Sequence, residues 1–529
     1  MSQIHKSAWL LVLLSAALQI LIFPLPNLYM FCWVAVTPLL IALLRARQPN
    51  TLQLRAGIKL LSARPLQAFM LGYACGILWY AGTCYWIYSV MHQYGGVNMP
   101  AGIGILILFC LYLAIYHGVF GMLVSLLAGS GTFNLRALLF SPVLWVAVEL
   151  ARTRITGFPW GLLGTTQVDN IPLSRIASVT GVYGLSFEIM LVNAAFAAAY
   201  LVQREKRKRL LLATVIAALI LQAGSLLPVP ASPADHNAVL VQANVPILEG
   251  SDWTKQYFND TLRDLIEVSL DSHGGTSHPD LIVWPENPAP FYISDPLFRE
   301  AVSNVARQAN GWVLAGSIGI RNATATPDQP TAIYNSASLV SPNGDWVSRY
   351  DKIHLVPFGE YVPFKQIFSF AGGLTKEVGD FSRGTSREPL DAGGSRLGVF
   401  ICYESTFPDD IRQFANNGAQ VLVNISNDGW YGDSGAYAQH LKQSRMRAVE
   451  NNRWLLLDTN TGVTAAIDPN GRIVAGAPRK TRTALRASYA LSNSTTFYTR
   501  HGDWFAYLCA IISLAALFMR LLRRKQRET

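Results

Sequence analysis

The segment Leu397-Gly-Val-Phe-Ile-Cys402-Tyr-Glu404 is a short apolar run that stops abruptly at a thiol and a carboxylate. Four to eight apolar, partly β-branched residues bounded by polar ones read as a buried strand. Comparable runs are Val239-Leu-Val-Gln-Ala243, Leu281-Ile-Val-Trp284, Trp312-Val-Leu-Ala315 and Val421-Leu-Val-Asn-Ile425. Between them the pattern predicts helices over 257–269, 296–309 and 408–416. Strands that alternate with helices argue for an α/β domain with a substantial core.

Outward from this region the composition changes. The chain has 529 residues, 51% hydrophobic and only 14% charged, against about 25% charged in soluble domains. Crossing a hydrocarbon core takes about 20 apolar residues of helix. Candidate spans cover 9–23, 29–44, 66–90, 103–127, 138–151, 179–202, 210–227 and 504–519. The domains expected are 1–230, a membrane block of seven helices; 234–499, a polar catalytic region; 503–521, a last spanning helix; and 522–529, a basic tail. The opening run resembles a signal peptide, but a second run follows within a few residues, so it reads as a retained helix.

The net charge of +10 raises nucleic acid as a partner, but much of the excess lies beside the apolar runs. Arg45, Arg47, Arg55, Lys59 and Arg64 form one cluster, residues Arg204 to Arg209 a second, and Arg520 to Arg527 a third. With eight spans all three fall on one side, which the positive-inside rule makes cytoplasmic. The charge therefore reads as membrane topology, no nucleic-acid partner is expected, and 234–499 is expected on the opposite face. Five of the six cysteines lie in apolar stretches and only Cys402 in the polar region, so that region forms no internal disulfide. Cysteine and histidine spacing offers no metal site, and no cofactor is expected.

Three segments join a strand end to a reactive side chain: Leu281-Ile-Val-Trp-Pro-Glu286, Lys352-Ile-His-Leu-Val-Pro-Phe-Gly-Glu360 and Phe400-Ile-Cys402-Tyr403-Glu404. A carboxylate, an ammonium and a thiol suffice for covalent acyl transfer, because the carboxylate takes the thiol proton and the cation steadies thiolate and oxyanion. Each has a plain structural alternative. Cys402 alone reads as packing, Glu286 as a cap or turn residue, and Lys352 as a solvated cation. His354 and His440 read as structural hydrogen-bonders. No Gly-x-Ser-x-Gly elbow is present, against a serine hydrolase.

Taken together, Thr156-Gly-Phe-Pro-Trp160, Trp284-Pro-Glu286, Lys352 to Glu360, Cys402-Tyr-Glu404 and Ile425-Ser-Asn-Asp-Gly-Trp430-Tyr-Gly resemble the nitrilase superfamily. More closely still they resemble the membrane-anchored apolipoprotein N-acyltransferase family within it. The resemblance implies a multi-span α-helical membrane domain plus an α/β nitrilase-like α-β-β-α sandwich. It implies Glu286 as general base, Lys352 as thiolate and oxyanion stabiliser, and Cys402 as nucleophile. Glu360 would be a supporting carboxylate, or else a structural salt-bridge partner. Tyr403 and Glu404 would flank the nucleophile, with the Tyr403 N–H in an oxyanion hole.

The reaction so implied is ping-pong. A phospholipid acyl donor would load Cys402 as a thioester, and a diacylglyceryl apolipoprotein acceptor would discharge it through its α-amine. The site would face the periplasm from the inner membrane, with both termini cytoplasmic. Trp253, Trp430 and Tyr431 match loop positions that gate substrate entry, Trp430-Tyr431 being expected on an exposed loop; core or rim aromatics are the alternative. The glycine-containing stretch 371–384 is a second candidate arm. Two other classes remain open: a membrane-tethered nitrilase-type amidase, and a transporter or receptor built on intramembrane charges such as Glu149 and Glu188. Oligomeric state and the roles of Arg152 and Arg154 stay open.

Overall fold

The computed structural model describes residues 4–48, 61–128, 136–201, 204–227, 233–247, 253–271, 278–321, 331–357, 359–361 and 381–528. Arg55, Lys59 and the proposed arm up to residue 380 lie outside the described residues. The chain divides into two compact units. One comprises Met1–Tyr88, Pro100–Pro228 and His501–Thr529, and the other Ser89–Met99 and Val229–Arg500.

Among its described residues the second unit contains twelve strands. They are β1 (His236–Gln242), β2 (Leu281–Val283), β3 (Trp312–Arg321), β4 (Ala332–Val340), β5 (Trp346–Asp351) and β6 (Leu390–Ala392). There follow β7 (Ser395–Ile401), β8 (Val421–Ser426), β9 (Leu455–Thr459), β10 (Ala465–Ile467), β11 (Ile473–Gly476) and β12 (Thr483–Tyr489). They build two six-stranded sheets, ordered β12-β1-β2-β3-β4-β5 and β11-β10-β9-β8-β7-β6. Each has a parallel centre, β1-β2-β3 in one and β7-β8-β9 in the other, with antiparallel strands outside.

Parallel strands covered on both faces become continuous apolar runs, which is why Leu281-Ile-Val and Val421-Leu-Val read clearly in the sequence. The sheets pack together through β1 with β9 and β4 with β7. Helices Lys255–Asp271 and Pro296–Ala309 cover the outer face of the first sheet, and Pro408–Asn416 and Ala436–Asn451 that of the second. The result is an α-β-β-α sandwich. Pro296–Ala309 shows how its sequence builds it. The Asp295 carboxylate caps Leu297 N and Phe298 N at 2.8 and 3.1 Å, and Pro296 occupies the first turn, where its missing donor costs nothing. Phe298, Ala301, Val302, Val305 and Ala309 then turn inward, and Asn310 ends the helix in the left-handed region.

The first unit is helical. Met99–Ala128, Val182–Leu201 and Trp504–Arg523 are long and apolar enough to cross a membrane, while Lys6–Leu21 and Tyr29–Arg45 are shorter apolar helices. Exposed rows such as Leu108 (67%), Leu514 (67%) and Phe518 (62%) would be a liability in water and suit a lipid solvent. The run 29–44, expected as one span, is broken into Cys32–Ala35 and Thr37–Arg45. Asn193 stitches the break, accepting from Val36 N and Thr37 N at 2.8 and 2.9 Å and donating to Cys32 O at 2.7 Å. A freed backbone group inside a bundle needs such a side-chain partner. Helices Pro65–Thr83 and Met99–Ala128 touch backbone to backbone, because a Cβ on Gly72 would stand 2.3 Å from His117 O.

The expected span 66–90 ends early, since its helix stops at Thr83 and Val90–Tyr94 forms a π-helical turn. Ser89–Met99 groups with the sandwich, where the Tyr94 ring meets Trp430 edge-on at 5.6 Å. Arg154, whose role was open, pairs with Asp503 at 2.8 Å within the helical unit.

Candidate active site

Glu286 follows the short strand β2, in the turn after Trp284-Pro285. Its approach to β3 requires a glycine there, as a Cβ on Gly316 would stand 2.1 Å from Pro285 O and 3.0 Å from Glu286 Cα. Lys352 lies directly after β5 with its backbone N–H bound to Asn335 O at 2.8 Å. The Lys352 side chain is 1% exposed. Its Nζ stands 3.1 Å from Glu286 Oε1 and 3.0 Å from Glu360 Oε1. Glu286, 66 residues from Lys352 in sequence, thus joins Lys352 and Glu360 in one buried cluster.

Two donors set the carboxylates further. Asn427 N donates to Glu286 Oε2 at 2.9 Å, and Val356 N to Glu360 Oε2 at 2.7 Å. The side chain of Asn335, on β4, donates to Oε1 of both glutamates, at 2.8 Å to Glu286 and 2.6 Å to Glu360. Asn335 Oδ1 in turn accepts from Asn287 Nδ2 at 2.9 Å. Burial alone would lower the Lys352 ammonium, but Glu286 and Glu360 beside it raise it well above its ordinary value. The lysine is therefore held cationic.

Cys402 stands where β7 ends, at φ +50°. A non-glycine residue in the left-handed region costs on the order of 1–3 kcal/mol, which the surroundings must offset. Glu404 is the clamp. Its Oε2 accepts from Ile401 N at 2.7 Å, and its Oε1 from Ile353 N and His354 N at 2.7 and 3.0 Å. Tyr350 OH adds bonds of 2.8 and 2.9 Å to the two oxygens. One carboxylate thus ties the segment bearing Cys402 to the one bearing Lys352. On the other side His440 Nε2 stands 3.0 Å from Cys402 O, and its Nδ1 lies 3.1 Å from Asp428 Oδ1.

The Cys402 thiol is buried. Burial and the Glu286 carboxylate push it well above the ordinary thiol range, while Lys352 and a hydrogen bond from Ser426 oppose the shift. At rest the sulfur keeps its proton, and Glu286 is the carboxylate that acts on it most strongly.

Tyr403 is buried and meets Phe407 edge-on at 5.2 Å. The Trp430-Tyr431 pair divides, contrary to the expectation of a wholly exposed loop. Trp430 is 39% exposed, whereas Tyr431 is buried, with Cys402 and Asp428 among the groups that act on its phenol. The short turn Asp428–Tyr431 faces successive side chains in different directions. Trp253 packs against the core of the first sheet and meets Tyr257 at 5.2 Å.

Sequence reasoning missed Asn335, Asn427 and the participation of His440. For Asn335 a signal existed: in the alternation along β4 it shares a face with Ile333, Ala337 and Leu339, so a polar residue stands on an apolar face. Among the described residues no His, Cys, Asp or Glu group is arranged to hold a metal ion.

Comparison with known proteins adds a second line. Residues 15–195 match the family model "Apolipoprotein N-acyltransferase N-terminal domain", and residues 240–497 match "Carbon-nitrogen hydrolase". A protein of Geobacter metallireducens named apolipoprotein N-acyltransferase is 36% identical over 533 residues, covering 99% of this chain and 96% of its own. Relatives of the same name from Methylococcus capsulatus and Shewanella oneidensis are 33% and 31% identical, covering 85% and 87% of this chain and 87% and 89% of their own. Similarity at this level runs through the helical unit and the sandwich alike, and the chain belongs to the apolipoprotein N-acyltransferase family.

Proposed function

We propose that this enzyme N-acylates the α-amine of the N-terminal S-diacylglyceryl cysteine of lipoproteins, the last step of their maturation, with a phospholipid as acyl donor and Cys402 as covalent carrier. The observation that carries the reading is the buried cluster of Glu286, Lys352 and Glu360, acting on a thiol held in a strained turn.

In the first half-reaction Glu286 takes the Cys402 proton as sulfur attacks the ester carbonyl. Lys352 and the Tyr403 N–H receive the negative charge that develops on the carbonyl oxygen. The C–S bond forms, the ester C–O bond breaks, and the lysophospholipid leaves as an alcohol with the proton from Glu286. In the second half-reaction the acceptor amine attacks the thioester and gives its proton to Glu286. The N–C bond forms, the C–S bond breaks, and Cys402 is restored as a thiol. Glu360, Asn335 and Glu404 hold this geometry. A thioester suits the task because it reacts readily with amines and survives where water is kept out.

Both substrates are lipids, which explains a catalytic sandwich carried by a helical block. In this reading 1–230 is embedded in the bacterial inner membrane, 234–499 is periplasmic, 503–521 crosses once more, and the tail 522–529 and the N-terminus are cytoplasmic, as the basic clusters favour. Trp430 would stand at the entrance.

The test is transfer from a phospholipid carrying an isotopically labelled acyl chain to a synthetic S-diacylglyceryl peptide, using the full chain in detergent. Labelled amide and unlabelled lysophospholipid are expected in equal amounts, and neither with Cys402→Ala. Labelled free fatty acid without amide would instead make the enzyme a hydrolase.

A further inference from the structure

Glu149 and Arg152 belong to the helical unit, whereas Cys402 belongs to the sandwich. The two residues lie one turn apart where helix Arg136–Ala151 ends, and they are only 6% and 3% exposed. Arg152 Nη1 donates to Tyr80 OH at 2.8 Å, and its guanidinium lies over the Trp79 ring at 5.7 Å. Glu149 Oε1 accepts from Leu163 N at 2.8 Å. Ser186 and Trp145 also hydrogen-bond the Glu149 side chain, yet one atom of each charged group is left over. Glu149 Oε2 and Arg152 Nε are buried and have no hydrogen-bond partner among the described residues.

Both side chains line one cavity of about 20 Å³ inside the helical unit. Trp79, His117 and Trp145 line the same cavity; Trp145 hydrogen-bonds the Glu149 side chain, whereas Trp79 Nε1 and His117 Nε2 are buried without a partner among the described residues. A buried, unpaired polar group costs about 1–3 kcal/mol, and more when charged, so four around one small space call for a shared partner. Its chemistry is constrained. Arg152 and the two indoles only donate, Glu149 as a carboxylate only accepts, and His117 Nε2 does either according to tautomer. An anion would meet Glu149, a cation would meet Arg152, and an apolar group would satisfy none of them. A water needs about 10–15 Å³, so the volume admits a water and excludes a lipid headgroup.

We propose that this cavity is a binding site for an ordered water that bridges Glu149 to Arg152. The water donates to Glu149 Oε2 and His117 Nε2 and accepts from Arg152 Nε and Trp79 Nε1. The two charges are then held apart and solvated rather than closed into an ion pair. The site joins helices Pro65–Thr83, Met99–Ala128 and Arg136–Ala151 to the turn at Gly161–Leu163 that follows Trp160.

Radiolytic footprinting of the full chain in lipid nanodiscs tests this, because radicals formed from a bound water oxidise the side chains beside it. Trp79 and Trp145, 5% and 7% exposed, are expected to be oxidised several-fold faster than Trp160, which is also buried, at 2%, but does not line the cavity. His117→Phe, which removes one acceptor and fills the space, is expected to bring their rates down to that of Trp160. The double variant Glu149→Leu with Arg152→Leu is expected to do the same where it folds. Wild-type Trp79 and Trp145 oxidised no faster than Trp160 would overturn the proposal, as would rates unchanged by His117→Phe in a protein that melts like wild type.

Discussion

Asn335 Nδ2 stands 2.8 Å from Glu286 Oε1, the same oxygen that Lys352 Nζ approaches at 3.1 Å. The amide and the ammonium therefore fix the carboxylate together, and the amide also reaches Glu360. A hydrogen bond to a charged group contributes about 1.5–3 kcal/mol, which is about tenfold to a hundredfold in rate. Asn335→Ala is expected to lower the turnover number by that order with KM for the lipopeptide unchanged. Asn335→Asp, which sets a third carboxylate beside two, is expected to be worse. Equal turnover in Asn335→Ala and wild type would remove Asn335 from the machinery.

The thiol should betray its surroundings in an alkylation profile. Burial and Glu286 raise Cys402, and Lys352 opposes them, so iodoacetamide labelling should reach its midpoint above the ordinary thiol value of about 8.5. Glu286→Gln removes a negative charge and should move the midpoint down. Lys352→Met removes the opposing cation and should move it up. The measurement is mass-spectrometric labelling of Cys402 against pH, and shifts of opposite sign from these would contradict the assignment.

Asp410 supports the loop that carries Lys352. Burial would raise its carboxyl, but His354 Nε2 and Arg387 Nε, each at 2.8 Å, bring it below the ordinary aspartate range. A lowered folded-state value means the stabilisation is present above the unfolded value and is lost as pH falls through the folded one. Asp410→Asn should thus cost about 1–3 kcal/mol near neutral pH. The gap in thermal midpoint should close below about pH 4. A gap independent of pH would show that the charge is not what matters.

Trp430 and Tyr431 are neighbours with different surroundings, and their variants should separate. Trp430→Ala, at the exposed position, is expected to raise KM for lipid substrates while the pH profile of Cys402 labelling stays put. Tyr431→Phe, on the buried side near the thiol, is expected to shift that profile and to leave KM alone. Steady-state kinetics and labelling on the same preparations decide it, and the reverse pattern would refute the division.

Legibility in the sequence followed the physics of each element. Helices Pro296–Ala309 and Pro408–Asn416 were readable at both ends because a proline opens each and an amphipathic face follows. Strands β2, β7 and β8 were readable because burial on both faces leaves uninterrupted apolar runs. Strand β4 was hidden, since Asn335, Ser336 and Ser338 break its apolar run although all are buried. Helix Ala436–Asn451 was hidden for a related reason. It buries Gln439, His440, Arg447 and Glu450 along with its apolar residues, so no apolar stripe marks a face.

The candidate site shows the same split. Glu286, Lys352, Glu360, Cys402 and Glu404 stand in recognisable segments at strand ends. Asn335 is a single amide within a strand, and Asn427 contributes to Glu286 through its backbone N–H, which no side-chain pattern announces. The packing of Ser89–Met99 with the sandwich was invisible because an apolar run continues to Val90 although the helix has ended at Thr83.

The most direct measurement is the intact mass of the detergent-purified chain after incubation with phospholipid alone, for wild type and Cys402→Ala. The account predicts that wild type gains one acyl chain, that hydroxylamine or a diacylated lipopeptide removes it, and that the variant gains nothing. Acylation of the lipopeptide with no Cys402-dependent adduct, under conditions that trap thioesters, would contradict the covalent mechanism.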